Sequence, residues 1–167
     1  MSKKDAYDNL ILNKHEFNMN ISKIGKGGKG LEEQYVVFKL GQEEYGLDIL
    51  MVQEIVRPLE TTKLPNSPDY ILGIVNLRED VIPIIDLRRF LNLQIMDVTD
   101  ASRIIVIKQN DDAFGIFVDE VHEVLRINKE QIKSHEELDH NINKQYIKGV
   151  AKVQQRLIIL LDLTTAI

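Results

Sequence analysis

From Gln34 onward, short apolar runs alternate with polar bends. The clearest unit is Tyr70–Leu91. Ile71, Leu72, Ile74, Val75 and Leu77 form one run, Arg78-Glu79-Asp80 the bend, and Val81, Ile82, Ile84 and Ile85 a second run. Runs this short and this rich in branched residues predict two strands covered on both faces, although periodicity alone does not exclude a buried helix. Pro83 cannot donate to a ladder, so its strand should lie at an edge or beside a bulge. Upstream, Tyr35–Leu40, Tyr45–Ile49 and Leu50–Val56 read as further extended stretches, ended by Arg57-Pro58. Thr61–Asp69 is a proline-containing loop in which Ser67 or Asp69 could cap a helical turn. Arg88–Leu93 reads as a short helix and Gln94–Ser102 as a polar crossover.

The pattern then restarts. Arg103–Lys108 repeats the first strand, and Tyr146–Ile167 repeats the hairpin, 76 positions after Tyr70 and without a gap. Tyr45-Gly46-Leu47 returns 69 positions on as Phe114-Gly115-Ile116, and Gly73 and Asp86-Leu87 return as Gly149 and Asp162-Leu163. A longer polar segment, Asn128–Lys144, absorbs the change of offset. The expected organisation is a tail over residues 1–33, a first subdomain over 34–98 and a second over 99–167. Each copy is a set of short strands suited to a small barrel or sandwich. A unit of that size is marginal alone, so the two should share an apolar interface, with a groove between them as the natural binding site.

Composition narrows the function classes. The chain of 167 residues is 44% hydrophobic and carries a net charge of −5, with its lysines and arginines scattered rather than striped. That argues against a phosphate-backbone binder. With no cysteine there is no disulfide, thiol nucleophile or thiolate metal site. No apolar run approaches the ~20 residues of a membrane span. Residues 1–33 mix isolated apolar residues with polar ones and end in Gly25–Gly30, which fits a flexible linker.

Few motifs suggest chemistry. Gly25–Gly30 formally matches G-x-G-x-x-G but lacks the strand before and the helix after that a dinucleotide loop requires. His135 and His140 are five apart and so diverge by about 140° on a helix, where a zinc pair needs four. His15 and His122 have no partner visible in the sequence. Asp86 and Asp162 could be an acid/base pair, but each precedes a Leu at the end of an equivalent strand, which suits a local cap better. Asp111-Asp112 and Asp119-Glu120 read as turn or surface acids. No catalytic set, metal site or cofactor site assembles. The two copies differ at the hairpin turn, where Asn76-Leu77-Arg78 becomes Lys152-Val153-Gln154. An Arg at a hairpin tip that the fold itself does not demand is a candidate interface anchor, with a solvated turn Arg as the alternative.

Tyr35–Val56, Leu64–Arg88, Phe114–Val124 and Gly149–Leu163 together resemble the CheW family of bacterial chemotaxis coupling proteins. The resemblance covers about 34–167. It implies a mainly all-β fold of two tightly packed, SH3-like five-stranded β-barrels with short helices. It further implies a non-enzymatic, cytoplasmic adaptor recruited to membrane receptor arrays. That adaptor would couple the cytoplasmic tip of methyl-accepting chemoreceptors to the regulatory domain of the histidine kinase CheA. No cofactor, nucleic acid or membrane insertion is implied, and a monomer is expected in isolation. Carried over by the resemblance, receptor or kinase contacts fall on Ile49, Val52, Glu54, Gly73, Asn76, Arg78, Gly115, Val121 and Val124. Ile49, Val52, Val121 and Val124 would form an apolar groove and Arg78 a polar receptor contact. Glu79 stands where the family usually has Gly, and a Glu at φ > 0 would be strained by about 1 kcal/mol. The alternative function is a small-barrel nucleic-acid- or nucleotide-binding module.

Overall fold

The computed structural model describes residues 32–134, 144–164 and 166. Gly25–Gly30, His15 and the His135/His140 pair lie outside them. The strands are β1 (Glu32–Leu40), β2 (Glu43–Asp48), β3 (Val52–Val56), β4 (Ile71–Leu77), β5 (Asp80–Asp86), β6 (Arg103–Gln109), β7 (Asp112–Val118), β8 (Glu120–Asn128), β9 (Ile132–Lys133), β10 (Ile147–Val153) and β11 (Arg156–Leu161). A one-turn helix, α1 (Leu87–Phe90), follows β5, and a 3₁₀ turn (Ile49–Met51) joins β2 to β3. β1 takes up Glu32 and Glu33, two residues expected in the tail; they pair with Asn128 and Ile127. The helical turn expected before Tyr70 is not formed: 69–70 are a simple turn, closed by the Ile71 N–H donating to Pro68 O at 3.0 Å.

The strands make two sheets, ordered β8-β1-β2-β11-β10-β9 and β3-β6-β7-β5-β4. The two repeats are equivalent strand for strand, but their sheets do not follow the boundary at 98/99. Hairpin β1–β2 of the first copy sits between β8 and β11 of the second. Hairpin β6–β7 of the second copy sits between β3 and β5 of the first. Both β2·β11 and β5·β7 are parallel, and the remaining pairs are antiparallel. The six-stranded sheet gains its extra strand from β9, which pairs with β10 through Lys133↔Val150; the other sheet keeps only the matching bridge, Thr62↔Ile74.

Alternation along the strands feeds three cores. On β1, Tyr35 and Val37 face the inside of the six-stranded sheet with Ile127, Ala151, Ile158 and Leu160. On β6, Ile104 and Val106 do the same in the five-stranded sheet with Val56, Val75, Ile82 and Ile84. The alternate residues, Val36 and Phe38 on β1 and Ile105 and Ile107 on β6, meet between the sheets in the largest cluster. The expectation that the copies share an apolar interface therefore holds. It also explains why β1, β6 and β7 read as unbroken apolar runs: both of their faces are covered. Pro83 lies on an interior strand, yet β5 pairs with β7 only from Ile84 onward, so the missing N–H faces no ladder on that side.

Glycines recur where strands crowd. Ile84 on β5 stands opposite Gly73 on β4 and Gly115 on β7, and Leu160 stands in the same way between Gly149 and Gly46. A Cβ on Gly115 would come within 2.6 Å of Ile84 Cδ1. Gly73 sits at a bulge with φ of 147°, and a Cβ there would meet Thr62 O at 2.5 Å. This is the close backbone approach that a strand glycine signals.

Candidate functional site

The β4–β5 turn consists of Arg78 and Glu79, since Leu77 pairs with Asp80. The positive φ falls on Arg78 (59°) and, in the second copy, on Gln154 (58°). Glu79 is not in the left-handed region, so the strain expected there belongs to Arg78 instead. Arg78 Nη2 donates to Glu54 Oε2 at 3.0 Å. The Arg78 side chain is 72% exposed and that of Glu54 only 10%. Glu54 lies on β3, at the opposite end of the sheet order from β4. The ion pair therefore bridges the two edges, which requires the sheet to curl towards closure. Glu54 Oε1 is buried without a hydrogen-bond partner. Asn76, one pleat before the turn, is exposed.

The six-stranded sheet closes in the corresponding place with a different arginine. Arg156 on β11 grips Glu44 on β2 through Nε (3.0 Å) and Nη2 (2.6 Å), and Nη2 also reaches Glu123 on β8 at 2.5 Å. Glu123 is the repeat equivalent of Glu54. Hydrogen bonding from Arg156 holds the Glu44 carboxyl below its ordinary range, against the opposing effect of burial. Donor atoms of Glu44, His122 and Glu123 lie within 4.8 Å of one another. Arg156 Nη2 lies between the two carboxylates, 2.6 Å from Glu44 Oε1 and 2.5 Å from Glu123 Oε1. His122, partnerless in the sequence, lies 3.8 Å from Glu123.

The remaining predicted contact residues divide by burial. Ile49 and Val52 are buried members of the shared core, with Val121 and Val124 half-buried against it. All four belong to or pack against one core, but Ile49 and Val52 are interior, so the partly exposed apolar part of the set is Val121 and Val124. Leu50, beside Ile49, is exposed. Gly73 and Gly115 are buried packing positions. On the hairpin, Asn76 and Arg78 are the exposed members of the predicted site, and Glu54 is buried as the partner of Arg78.

Asp86 and Asp162 act as caps: Asp86 Oδ1 accepts from the Arg88 N–H (3.2 Å) and Asp162 Oδ1 from the Thr164 N–H (3.0 Å). Their own N–H groups donate to Tyr70 O and Tyr146 O. Asp119, read from sequence as a surface acid, is the hub of a lock between the sheets. Arg88 on α1 donates to it through Nε (2.8 Å) and through Nη2, Arg88 Nη1 reaches Gln94 O (2.8 Å), and the Gly41 N–H donates to Asp119 Oδ2 (2.7 Å). The lock has no repeat equivalent, because Arg88 matches Thr164 and Asp119 matches Leu50; only its spatial arrangement reveals it.

The comparisons decide what this arrangement belongs to. The profile of the CheW-like domain matches residues 34–167. The chain belongs to the CheW-like family. It is 36% identical over 143 residues to the chemotaxis protein CheW of Klebsiella aerogenes, covering 86% of this chain and 85% of that protein. It is 37% identical over 129 residues to CheW of Helicobacter pylori, covering 77% of each. Among solved structures, the scaffolding protein TtCheW from Thermoanaerobacter tengcongensis superposes with a TM-score of 0.75 at 35% identity, covering 82% of this chain and 88% of that one. Membership places this CheW-like chain among chemotaxis scaffold proteins and not among enzymes. Among the described residues no helix is long and apolar enough to cross a membrane.

Proposed function

We propose that this CheW-like protein is the coupling adaptor between the cytoplasmic tip of chemoreceptors and the regulatory domain of the histidine kinase CheA. It works in the cytoplasm as a monomer that joins receptor arrays. The supporting observation is the Glu54–Arg78 closure at the first-copy hairpin. It presents a guanidinium and the Asn76 amide on a rigid two-residue turn, where the second copy presents Gln154 and Lys152. The receptor contact comprises Asn76 and Arg78, with Glu54 holding Arg78 from the interior. Val121 and Val124 with exposed Leu50 offer a modest apolar surface for a partner helix. Because each surface is small, assembly relies on several contacts at once.

Titrating the full-length protein with the kinase regulatory domain and with a receptor-tip fragment tests this by calorimetry. Wild type is expected to bind both, and Arg78→Ala to lose receptor affinity while keeping the kinase. A folded sample that binds neither at tens of micromolar refutes the adaptor reading.

A further inference from the structure

Arg57 and Arg103 form a second cationic feature outside the hairpin. Val56 on β3 pairs with Ile104 on β6, so Arg57, just past the end of β3, and Arg103, the first residue of β6, are the next residues on either side. Arg103 is 9% exposed and Arg57 half-buried. Each has a buried Nε with no hydrogen-bond partner. Neither makes an ion pair among the described residues. Burial first, and then the neighbouring Arg57 charge, pull the pKa of Arg103 down, against a smaller opposing pull from Asp100.

The geometry of Arg103 has a counterpart in the same molecule. Its Nη1 is held by two carbonyls, Asp100 O (2.8 Å) and Ser102 O (2.7 Å). Arg88 is held likewise, with Nη1 on Gln94 O, and it turns its Nε/Nη2 edge to the Asp119 carboxylate. Arg156 presents the same edge to Glu44. Two of the chain's arginines thus use this edge for a bidentate carboxylate, the geometry a guanidinium fork favours. Arg103 is pinned in the same way; the charges that reach it are Arg57, which opposes its own, and Asp100, whose carboxylate makes no ion pair with it, and its Nε is left without a hydrogen-bond partner. The loop that delivers Arg103 also carries Ile95, Met96 and Val98, three exposed large apolar side chains. Exposed apolar side chains beside a charge suit a polypeptide surface better than a free anion.

We infer that Arg103, with Arg57, is a docking site for a carboxylate side chain of a partner protein, separate from the Arg78 hairpin. The half-exposed Arg57 swings aside as the acid enters, and the acid then relieves the repulsion between the two guanidinium groups. The inference deepens the adaptor reading and rests on it for the identity of the partners, the kinase regulatory domain or the receptor tip.

Two measurements on the full-length protein test it. In the first, arginine Nε–Hε NMR resonances are followed during titration with acetate and, separately, with inorganic phosphate. Acetate is expected to shift the Arg103 resonance. A response to phosphate alone would reassign the site to a free oxyanion and overturn the proposal. In the second, calorimetry compares wild type, Arg103→Gln and Arg57→Gln against both partners. Arg103→Gln should weaken one partner at least tenfold and flatten its salt dependence, with a smaller loss for Arg57→Gln, which sits on a more exposed residue and keeps the fold testable. Variants that bind both partners as wild type does would overturn the proposal. Should wild type bind neither, the adaptor reading falls, and the acetate titration alone decides whether the site exists.

Discussion

Replacing Asp119 with Ala tests the lock between the two sheets. The Arg88 side chain is 9% exposed and that of Asp119 26%. The substitution removes both hydrogen bonds to Nε and Nη2 and leaves a buried guanidinium with only Gln94 O. Breaking a buried pair from one side costs about 3–5 kcal/mol. Partial exposure of Asp119 lets water replace some of that, which puts the loss near ~3 kcal/mol. With a urea slope of about 2 kcal/mol/M for a domain of this size, the unfolding midpoint should fall by about 1.5 M. The companion variant Arg88→Met/Asp119→Ala removes the stranded charge and should recover at least ~1 kcal/mol relative to Asp119→Ala. The pH dependence has a definite sign. Burial pushes the Asp119 carboxyl up, but the Arg88 hydrogen bond, the Gly41 N–H and the Arg88 charge together hold it below its ordinary value. A depressed folded pKa gives stability that is present above the ordinary carboxylate value, near 3.9, and is lost as pH falls through the folded value. The gap between wild type and Asp119→Ala should therefore be flat from neutral pH down to about 5 and close below about 4. A loss under ~1 kcal/mol, or strict additivity in the double variant, refutes the lock.

Gly73→Ala should destabilise by roughly 3 kcal/mol, because its Cβ meets backbone atoms of Thr62 at a φ that side chains rarely adopt. Gly149→Ala, crowded but without that φ, should cost less; equal losses in chemical denaturation would contradict the strain term. Arg78→Ala should cost ~1 kcal/mol or less in thermal unfolding, since its partner is buried but Arg78 itself is exposed. Arg78→Gly should be about 1 kcal/mol more stable than Arg78→Ala, because it relieves φ of 59°, while losing the same receptor affinity. Ile105→Ala in the shared core and Ile104→Ala in the five-stranded sheet's own core should each cost about 3–4 kcal/mol. Both should leave one calorimetric transition; two resolved transitions would show that the sheets unfold independently.

The repeat was legible because the hairpins β1–β2 and β6–β7 and the strands beside them are largely covered on both faces, so position after position had to keep its size and its glycines. Ile84 needs Gly73 and Gly115, and Leu160 needs Gly149 and Gly46, for one packing reason. The hairpin turn was legible as a difference between copies. The locks and closures were not: Arg88–Asp119 and Arg156–Glu44 join residues 31 and 112 positions apart. A lone acid or base in the sequence carries no trace of its partner.

The exchange of hairpins was hidden for another reason. An internal offset says which strands are equivalent, not which ones pair, because β3 and β8 are near copies and either satisfies β1. Connector length breaks the tie. To lie beside β1 in the first copy, β3 would have to leave β2 and cross over β1, about two strand spacings or ~9.5 Å. The three-residue 3₁₀ turn Ile49–Met51 advances only ~6 Å. In the second copy a single residue, Asp119, separates β7 from β8, so β8 cannot fold back across β6 at all. The chain instead runs on from one sheet into the other, and the edge beside β1 is left for β8. The bend where this happens is the residue that Arg88 grips. The seam between the sheets is therefore fixed at the point where the chain changes sheet, and β5 of the first-copy hairpin is hydrogen-bonded to β7 of the second copy.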